Sequence, residues 1–145
     1  METRMSQKII STYRSAGSAT APKHRRSTGN WYEQLAAEHL EKQGLQLIRS
    51  NYHCRLGEID LIMQDQNTLV FVEVRYRLRN DFVSAVVSIN PTKQQKILRT
   101  AMVYLKQHKL NDKVPCRIDL IGLTRCRSTG ELIVEWIKNA IMSNV

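Results

Sequence analysis

The stretch of residues 57–77, GEIDLIMQDQNTLVFVEVRYR, constrains the fold of this chain more than any other part of its sequence. Two runs that alternate apolar and polar residues flank a short polar turn, Gln-Asp-Gln-Asn, at positions 64–67. Alternation with a period of two is typical of β-strands, and a short polar turn between two such runs predicts an antiparallel hairpin. We therefore expect the rest of the chain to be organised around this hairpin.

The acids Asp60 and Glu73 and the bases Arg75 and Arg77 lie within the predicted hairpin. Alternation places Glu73, Arg75 and Arg77 on one face of the second strand, while Asp60 belongs to the neighbouring strand. We therefore expect the Asp60 and Glu73 carboxylates to point to one side of adjacent strands, within the roughly 8 Å that separates diagonal cross-strand neighbours. The alternative is structural, because such residues often form only cross-strand ion pairs worth roughly 0.2–1 kcal/mol each.

The periodicity of the remaining sequence predicts two helices and three further strands. The helices cover residues 30–43, capped by Asn30 or Thr28 and ended by Gly44, and residues 93–108, capped by Thr92. The strands cover residues 45–52, 116–123 and 131–137, and residues 79–91 form a loop. The order helix, three strands, helix, strand and an appended strand predicts an α/β sandwich with a mixed sheet, because the second helix can connect parallel strands.

Positive charge is concentrated near the start of the chain. The formal net charge is +9, which favours an anionic partner, nucleic acid before membrane. The first 30 residues hold six bases against one acid. Residues 1–28 are therefore expected to form a flexible basic tail, followed by a single domain at 29–145. An organellar transit peptide, or a start codon placed too early, are the alternatives for this segment.

Composition narrows the class of protein further. A chain of 145 residues with 42% hydrophobic and 24% charged residues is typical of one soluble globular domain. No apolar run approaches the roughly 20 residues of a membrane helix, so no membrane partner is expected. Three cysteines without a C-x-x-C pair favour reduced thiols in a cytoplasmic protein over a disulfide framework or a zinc site.

The hairpin also carries a family resemblance. The pattern G-E-I-D-L-I at 57–62, followed by F-V-E-V-R at 71–75, resembles the YraN family of bacterial proteins. An Asn-Tyr pair at 51–52 and a helix bearing Glu33 extend the match across about residues 29–137. That family is regarded as similar to Holliday-junction resolvases and restriction endonucleases, the PD-(D/E)xK nucleases. The resemblance implies a restriction-endonuclease-like core of order α-β-β-β-α-β, which is also the order that periodicity predicts.

The resemblance implies the site of a metal-dependent endonuclease. Asp60 matches the motif aspartate, Glu73 matches the acid of the E-x-K element, and Glu33 matches the helix glutamate of resolvase-type members. These carboxylates, together with the Val74 carbonyl, would hold Mg²⁺ or Mn²⁺, hard ions that prefer oxygen ligands.

Arg75 occupies the position of the motif lysine, which is where the sequence departs from the usual pattern of the PD-(D/E)xK nucleases. An arginine stays protonated, so it can orient a phosphate and stabilise charge but cannot act as a general base. Lys93, at the start of the second predicted helix, is a candidate replacement. The expected contacts to nucleic acid are Arg55, Arg77, Lys93 and Lys96.

Three functions are consistent with these residues. The first is a magnesium-dependent endonuclease acting on DNA, including branched or recombination and repair intermediates. The second is a nucleic-acid-binding module of the same fold that has lost turnover, and the third is a protein-interaction domain whose acids are structural. The resemblance also allows a homodimer, because two symmetric strands need two cuts.

Overall fold

The computed structural model describes residues 7–13, 25–79 and 89–141, which form two helices and six strands. The helices are α1 (Arg25–Lys42) and α2 (Pro91–Gln107). The strands are β1 (Gln7–Tyr13), β2 (Gln46–Cys54), β3 (Gly57–Asp65), β4 (Thr68–Arg79), β5 (Cys116–Cys126) and β6 (Leu132–Ile141). The predicted order of elements from α1 to β6 is therefore confirmed.

The six strands form one mixed sheet in the order β1-β6-β5-β4-β3-β2. The pairing of β4 with β5 is parallel, and α2 lies between these two strands in the chain. The other four pairings are antiparallel. This α/β architecture, with its α-β-β-β-α-β core, is consistent with the predicted restriction-endonuclease-like fold.

Each helix packs a stripe of apolar side chains against one face of the sheet. Tyr32, Ala36 and Leu40 of α1 pack in one apolar cluster with strand residues that include Leu61 and Val72. A second cluster, on the α2 face, joins helix residues with residues of β2, β3, β4, β5 and β6: Ile97, Ala101 and Tyr104 with Tyr52, Ile59, Ile62, Phe71, Ile118 and Ile141. In the described part of the chain, no helix is long and apolar enough to cross a membrane.

The first strand was not expected from the sequence. Gln7–Tyr13 lies within the predicted flexible tail, yet its backbone pairs antiparallel with β6, from Gln7 opposite Lys138 to Tyr13 opposite Leu132. The physical reason is that this segment contains β-branched residues, which favour strands, and β6 would otherwise be an edge with unpaired backbone groups. Residues 1–6 and 14–24 of the predicted tail lie outside the described residues, and α1 already begins at Arg25.

The three cysteines are free thiols, as the sequence predicted. Cys54 and Cys116 are half-buried, whereas Cys126 is buried at the end of β5.

The start of the second helix differs from the prediction, because α2 begins two residues earlier than expected, at Pro91. Much of the predicted loop before it, residues 80–88, lies outside the described residues.

Candidate active site

The candidate site lies where β3 and β4 stop pairing. Their ladder is regular from Asp65 opposite Thr68 to Leu61 opposite Val72. One residue beyond this point, the Asp60 carboxylate takes over the role of a strand carbonyl, because its Oδ2 accepts the backbone N–H of Val74 at 2.8 Å. The hydrogen bond holds the Asp60 side chain between the two strands.

The side chains of β3 change from one face of the sheet to the other at Asp60. Alternation predicts Ile59 and Leu61 on one face, but Ile59 packs in the α2 cluster and Leu61 in the α1 cluster. The residue opposite Asp60 on β2 is Asn51, since Ser50 pairs with Leu61 and Tyr52 with Ile59. Asn51 has a φ of 55°, a left-handed conformation that asparagine tolerates better than most residues, so β2 is irregular opposite the residue at which β3 changes faces.

The break in alternation lets acids from both faces of the sheet meet. Glu33, on α1, lies close enough to Asp60 and Asn51 to influence its pKa. The pKa of Asp60 is influenced in turn by Glu73, which lies on β4 with its side chain only 7% exposed. Asp60 and Glu73 lie on the adjacent strands β3 and β4, as predicted, and the direction of their carboxylates stays a prediction. We call Glu33, Asp60 and Glu73 the carboxyl triad.

The carboxylates of the triad repel one another electrostatically. Burial, and then the negative charge of Glu73, raise the pKa of Asp60 to about 8, against the opposing hydrogen bond from Val74. Burial also raises the pKa of Glu33, although its hydrogen bonds to Asp60 and Asn51 partly offset that effect. Asp60 therefore retains a proton at neutral pH. Strongly perturbed acids of this kind are more frequent at functional sites than elsewhere.

A lysine from α2 neutralises the third acid. The Nζ of Lys93 lies 2.8 Å from Glu73 Oε1, with the Lys93 side chain 44% exposed. Its position follows from the start of the helix, where the side chain of Asn90, and not Thr92 as predicted, caps α2 by accepting the Lys93 N–H at 2.9 Å. Pro91 in the first turn needs no hydrogen bond, which explains why the helix begins there.

The donor set of the carboxyl triad fits a hard divalent ion. Carboxylate oxygens are the ligands that Mg²⁺ and Mn²⁺ prefer, and Glu33 Oε2 is buried without a hydrogen-bond partner. Among the described residues, however, no group of three His, Cys, Asp or Glu side chains has a geometry ready to hold a metal ion. Because Asp60 retains a proton at neutral pH, an ion would have to displace that proton. The role of the Val74 carbonyl as a ligand stays a prediction.

Arg75 lies away from the contact that its motif position implies. It follows Glu73 by two residues on the same face of β4 and is half-buried, and its Nε is buried without a hydrogen-bond partner. In the sheet register Arg75 lies beside Gly122 of β5, which in turn lies beside Glu135 of β6. The amine that contacts Glu73 thus comes from Lys93, the candidate replacement for the motif lysine.

A cleft of about 770 Å³ opens from Glu73 towards solvent, between α2 and the turn that joins β2 and β3. We call it the α2 cleft. Lys93 and Lys96 line it, and the exposed Arg55 lies in the adjoining turn. Arg77 is exposed but lies four residues beyond Glu73, about 13 Å along the strand. Three of the four predicted nucleic-acid contacts therefore lie at or beside the cleft.

A pair at the mouth of the α2 cleft was not predicted from the sequence. His53 Nδ1 lies 3.3 Å from Glu58 Oε2, and both side chains are about two-thirds exposed. These residues face each other across the β2–β3 hairpin. The register of that hairpin could not be read from alternation alone.

Comparison with known proteins places the chain in a family. A model of the Uncharacterised protein family UPF0102 matches residues 32–123, which include the whole carboxyl triad and Lys93. A UPF0102 protein of Coxiella burnetii (strain RSA 331 / Henzerling II) is 48% identical over 109 residues, covering 75% of this chain and 87% of the relative. UPF0102 proteins of Nitrosococcus oceani and Psychromonas ingrahamii are 43% and 49% identical, covering 82% and 79% of this chain and 94% and 88% of the relatives. The chain belongs to the UPF0102 family, the YraN family that its motifs predicted.

Proposed function

We propose that this protein hydrolyses phosphodiester bonds in nucleic acid, with DNA as the expected substrate and Mg²⁺ or Mn²⁺ as the cofactor. The observation that carries the proposal is the carboxyl triad, in which Asp60 is held between Glu33 and Glu73 and its pKa is raised to about 8. A purely structural cluster would gain nothing from three acids that lie near one another and repel. A cation would resolve the conflict of charge at this point.

The side chains divide the chemical tasks between the two faces of the sheet. Asp60 and Glu73 offer oxygen ligands from adjacent strands, and Glu33 offers one from α1. When bound, Mg²⁺ or Mn²⁺ would neutralise charge on the phosphate and lower the pKa of water. The Val74 N–H fixes the orientation of the Asp60 carboxylate, so that its other oxygen can turn towards the substrate side.

Lys93 supplies the positive charge that the motif lysine gives in related folds. Its ammonium lies on Glu73 at the floor of the α2 cleft, and it is exposed enough to reach a phosphate there. Lysine can donate a hydrogen bond to the scissile phosphate and can also titrate, whereas the guanidinium of Arg75 can only hold its charge. Lys96 and Arg55 extend the positive surface along the cleft, which suits a polyanionic backbone.

The first expected result is metal-dependent cleavage that depends on the carboxyl triad. With Mg²⁺ or Mn²⁺, the protein should cleave at least one of linear, single-stranded or four-way-junction DNA. The double variant Asp60→Asn, Glu73→Gln should lose about a hundredfold or more of this activity, because two charged ligands are removed without loss of shape. Product formation on labelled DNA, followed on denaturing gels, measures the effect.

Glu41→Gln is the matched control for that experiment, because Glu41 is an exposed acid on α1 outside the triad. Its cleavage rate should equal that of the unmodified protein. The proposal fails if no substrate and metal give cleavage above the level of the double variant.

A second experiment separates the roles of Lys93 and Arg75. Lys93→Ala should lower kcat by roughly ten- to a hundredfold, because it removes the only amine seen in contact with Glu73 among the described residues. Arg75→Lys should leave activity similar or raise it. In the combined variant Lys93→Ala, Arg75→Lys, the new lysine should restore part of the loss. Equal activity of Lys93→Ala and the unmodified protein would remove Lys93 from the mechanism.

One observation favours a second function, a nucleic-acid-binding module without turnover. Lys93 already gives Glu73 a permanent cation, and no ready-made metal cluster is present among the described residues. This function predicts DNA binding in EDTA that falls steeply between about 50 and 200 mM salt, with no product in any metal. Cleavage that requires Asp60 and Glu73 would exclude it.

A further inference from the structure

A second groove, of about 460 Å³, adjoins the α2 cleft and is lined largely by apolar side chains. Leu56 and Met102 contribute to it and are 47% and 67% exposed, which makes them two of the most exposed large apolar residues in the described chain. Single exposed apolar residues are ordinary on protein surfaces, but two in one concave site are less so. We call this site the Leu56–Met102 groove.

The groove is held in a fixed position on the protein. Leu56 lies at the tip of the β2–β3 turn, and the next residue, Gly57, presses against α2. A Cβ at Gly57 would lie 2.9 Å from Thr100 Oγ1, and its φ of 156° is also unfavourable for other residues, so this approach requires glycine. Thr100 is fixed in turn by donating its hydroxyl to the Lys96 carbonyl at 2.7 Å. Leu56 is therefore presented to solvent by a rigid contact.

The rim of the groove is positively charged. Arg99 and Lys106 line it, against one acid, Asp112. The helix that forms its wall, α2, contains four lysines and arginines and no acid. Arg55 precedes Leu56 in the turn. An apolar centre with a cationic border complements a ligand that carries phosphates outside and apolar bases inside.

Together, the groove and the α2 cleft extend over the length of a short nucleic-acid segment. Lys96 lines the cleft and Arg99 lines the groove one helical turn later, so the two sites are continuous along α2. From Lys93 to Met102 the helix rises about 13 Å, which corresponds to about four base steps of a duplex. A strand whose phosphate lies at Lys93 would therefore pass over the groove.

We propose that the Leu56–Met102 groove receives a base that has left the stack at a weakened base step in nucleic acid, so that the protein prefers mismatched or nicked duplex to intact duplex. Taking a base out of the stack costs roughly a few kcal/mol, and this cost is smallest where pairing is already lost. This inference rests on the proposed function only for its ligand, nucleic acid. It does not require that the protein cleave.

The test uses the full chain in EDTA, so that binding is measured without cleavage. The probes are two 20-base-pair duplexes containing 2-aminopurine, one intact and one with a central two-base mismatch beside the fluorescent base. The protein should bind the mismatched duplex about tenfold more tightly and should raise its 2-aminopurine fluorescence by unstacking the base. Equal affinity for the two duplexes, or unchanged fluorescence, would overturn the proposal.

Variants assign the effect to the groove. Leu56→Ala and Met102→Ala should each reduce the preference for the mismatch severalfold while leaving affinity for intact duplex unchanged. Leu47→Ala, a similarly exposed leucine on β2 outside the groove, is the matched control and should keep the full preference. Arg99→Ala should weaken binding to both duplexes alike and reduce the salt slope by about one.

The mismatch preference can be tested even if the protein proves not to be a nuclease. Absence of cleavage in any metal leaves the mismatch preference, measured in EDTA, as an independent result. A preference that persists in the Leu56→Ala, Met102→Ala double variant would overturn the proposed role of the groove even if cleavage is found. Sedimentation that shows a dimer, dissociated by Leu56→Asp, would also overturn it, because a second copy of the chain would then cover the groove.

Discussion

Asp60→Asn is expected to stabilise the metal-free protein at pH 8 and to have little effect near pH 4. The folded protein holds the pKa of Asp60 at about 8, whereas the ordinary value is 3.8. A raised carboxyl pKa contributes stability that is fully present below pH 4 and is lost as pH rises to about 8, because the unfolded chain ionises first. At 1.36 kcal/mol per pKa unit, the loss amounts to several kcal/mol in the free energy of unfolding.

Asparagine escapes this loss because it resembles the protonated aspartic acid. Its side-chain oxygen can still accept the Val74 N–H, and its amide can donate to Glu33 and Glu73. With roughly 3 °C per kcal/mol for a domain of this size, we expect the melting temperature at pH 8 to rise by about 10 °C. Thermal unfolding of both proteins from pH 4 to pH 9 measures the difference.

The same experiment with Mg²⁺ tests the cause. A metal ion should stabilise the unmodified protein at pH 8, because it replaces the shared proton, and should stabilise Asp60→Asn much less. Glu41→Gln, outside the carboxyl triad, should respond to pH and metal as the unmodified protein does. A melting temperature that is lower in Asp60→Asn than in the unmodified protein at pH 8 would show that the charged carboxylate is favourable where it lies.

The expected gain in stability for Asp60→Asn means that the carboxyl triad lowers the stability of the metal-free protein at pH 8. Three mutually repelling acids are a cost to the folded protein, and proteins keep costs of this kind mainly where activity requires them. An exposed acid such as Glu41 has no comparable cost. The energetic signature therefore distinguishes the triad from the other acids of the chain without reference to any family.

Much of the site could be predicted from the sequence because its parts lie on local patterns. The hairpin follows from two alternating runs and a polar turn, so the pairing of β3 with β4 and the placement of Asp60 and Glu73 on adjacent strands could be predicted. Lys93 could be named as a candidate but not placed, because its distance to Glu73 depends on how α2 packs on the sheet. That packing is a property of the whole domain.

The remaining features depend on exceptions to local patterns. Alternation assumes that every strand residue has an extended backbone, and Asn51, with its φ of 55°, does not. On the neighbouring strand β3, Ile59 and Leu61 face opposite sides of the sheet, which no period-two argument anticipates. Gln7–Tyr13 could not be recognised because an edge strand depends on a partner, β6, that lies more than 100 residues away in the chain.

Asp119→Ala is expected to destabilise the protein by about 3–5 kcal/mol, a loss typical of removing one partner from a buried charged network. Asp119 forms an ion pair with Arg117 on the same strand, with Arg117 Nε 3.0 Å from Asp119 Oδ1. The structure adds two further donors, Trp136 Nε1 at 3.0 Å and the Asn139 N–H at 2.8 Å. Asp119 is completely buried and joins β5 to β6.

The large effect comes from the donors that would be left behind. Burial raises the pKa of Asp119 in spite of its hydrogen bonds, so the charged pair itself is not a large source of stability. Alanine, however, would leave the Arg117 guanidinium and the Trp136 and Asn139 N–H groups without their acceptor inside the protein. Asp65→Ala is the matched control, because Asp65 contacts Arg117 at 2.9 Å from a more exposed position and should cost about 1 kcal/mol or less. Urea unfolding of the three proteins measures both values, and an Asp119→Ala loss no larger than that of Asp65→Ala would show that water or a rearranged side chain satisfies the stranded donors.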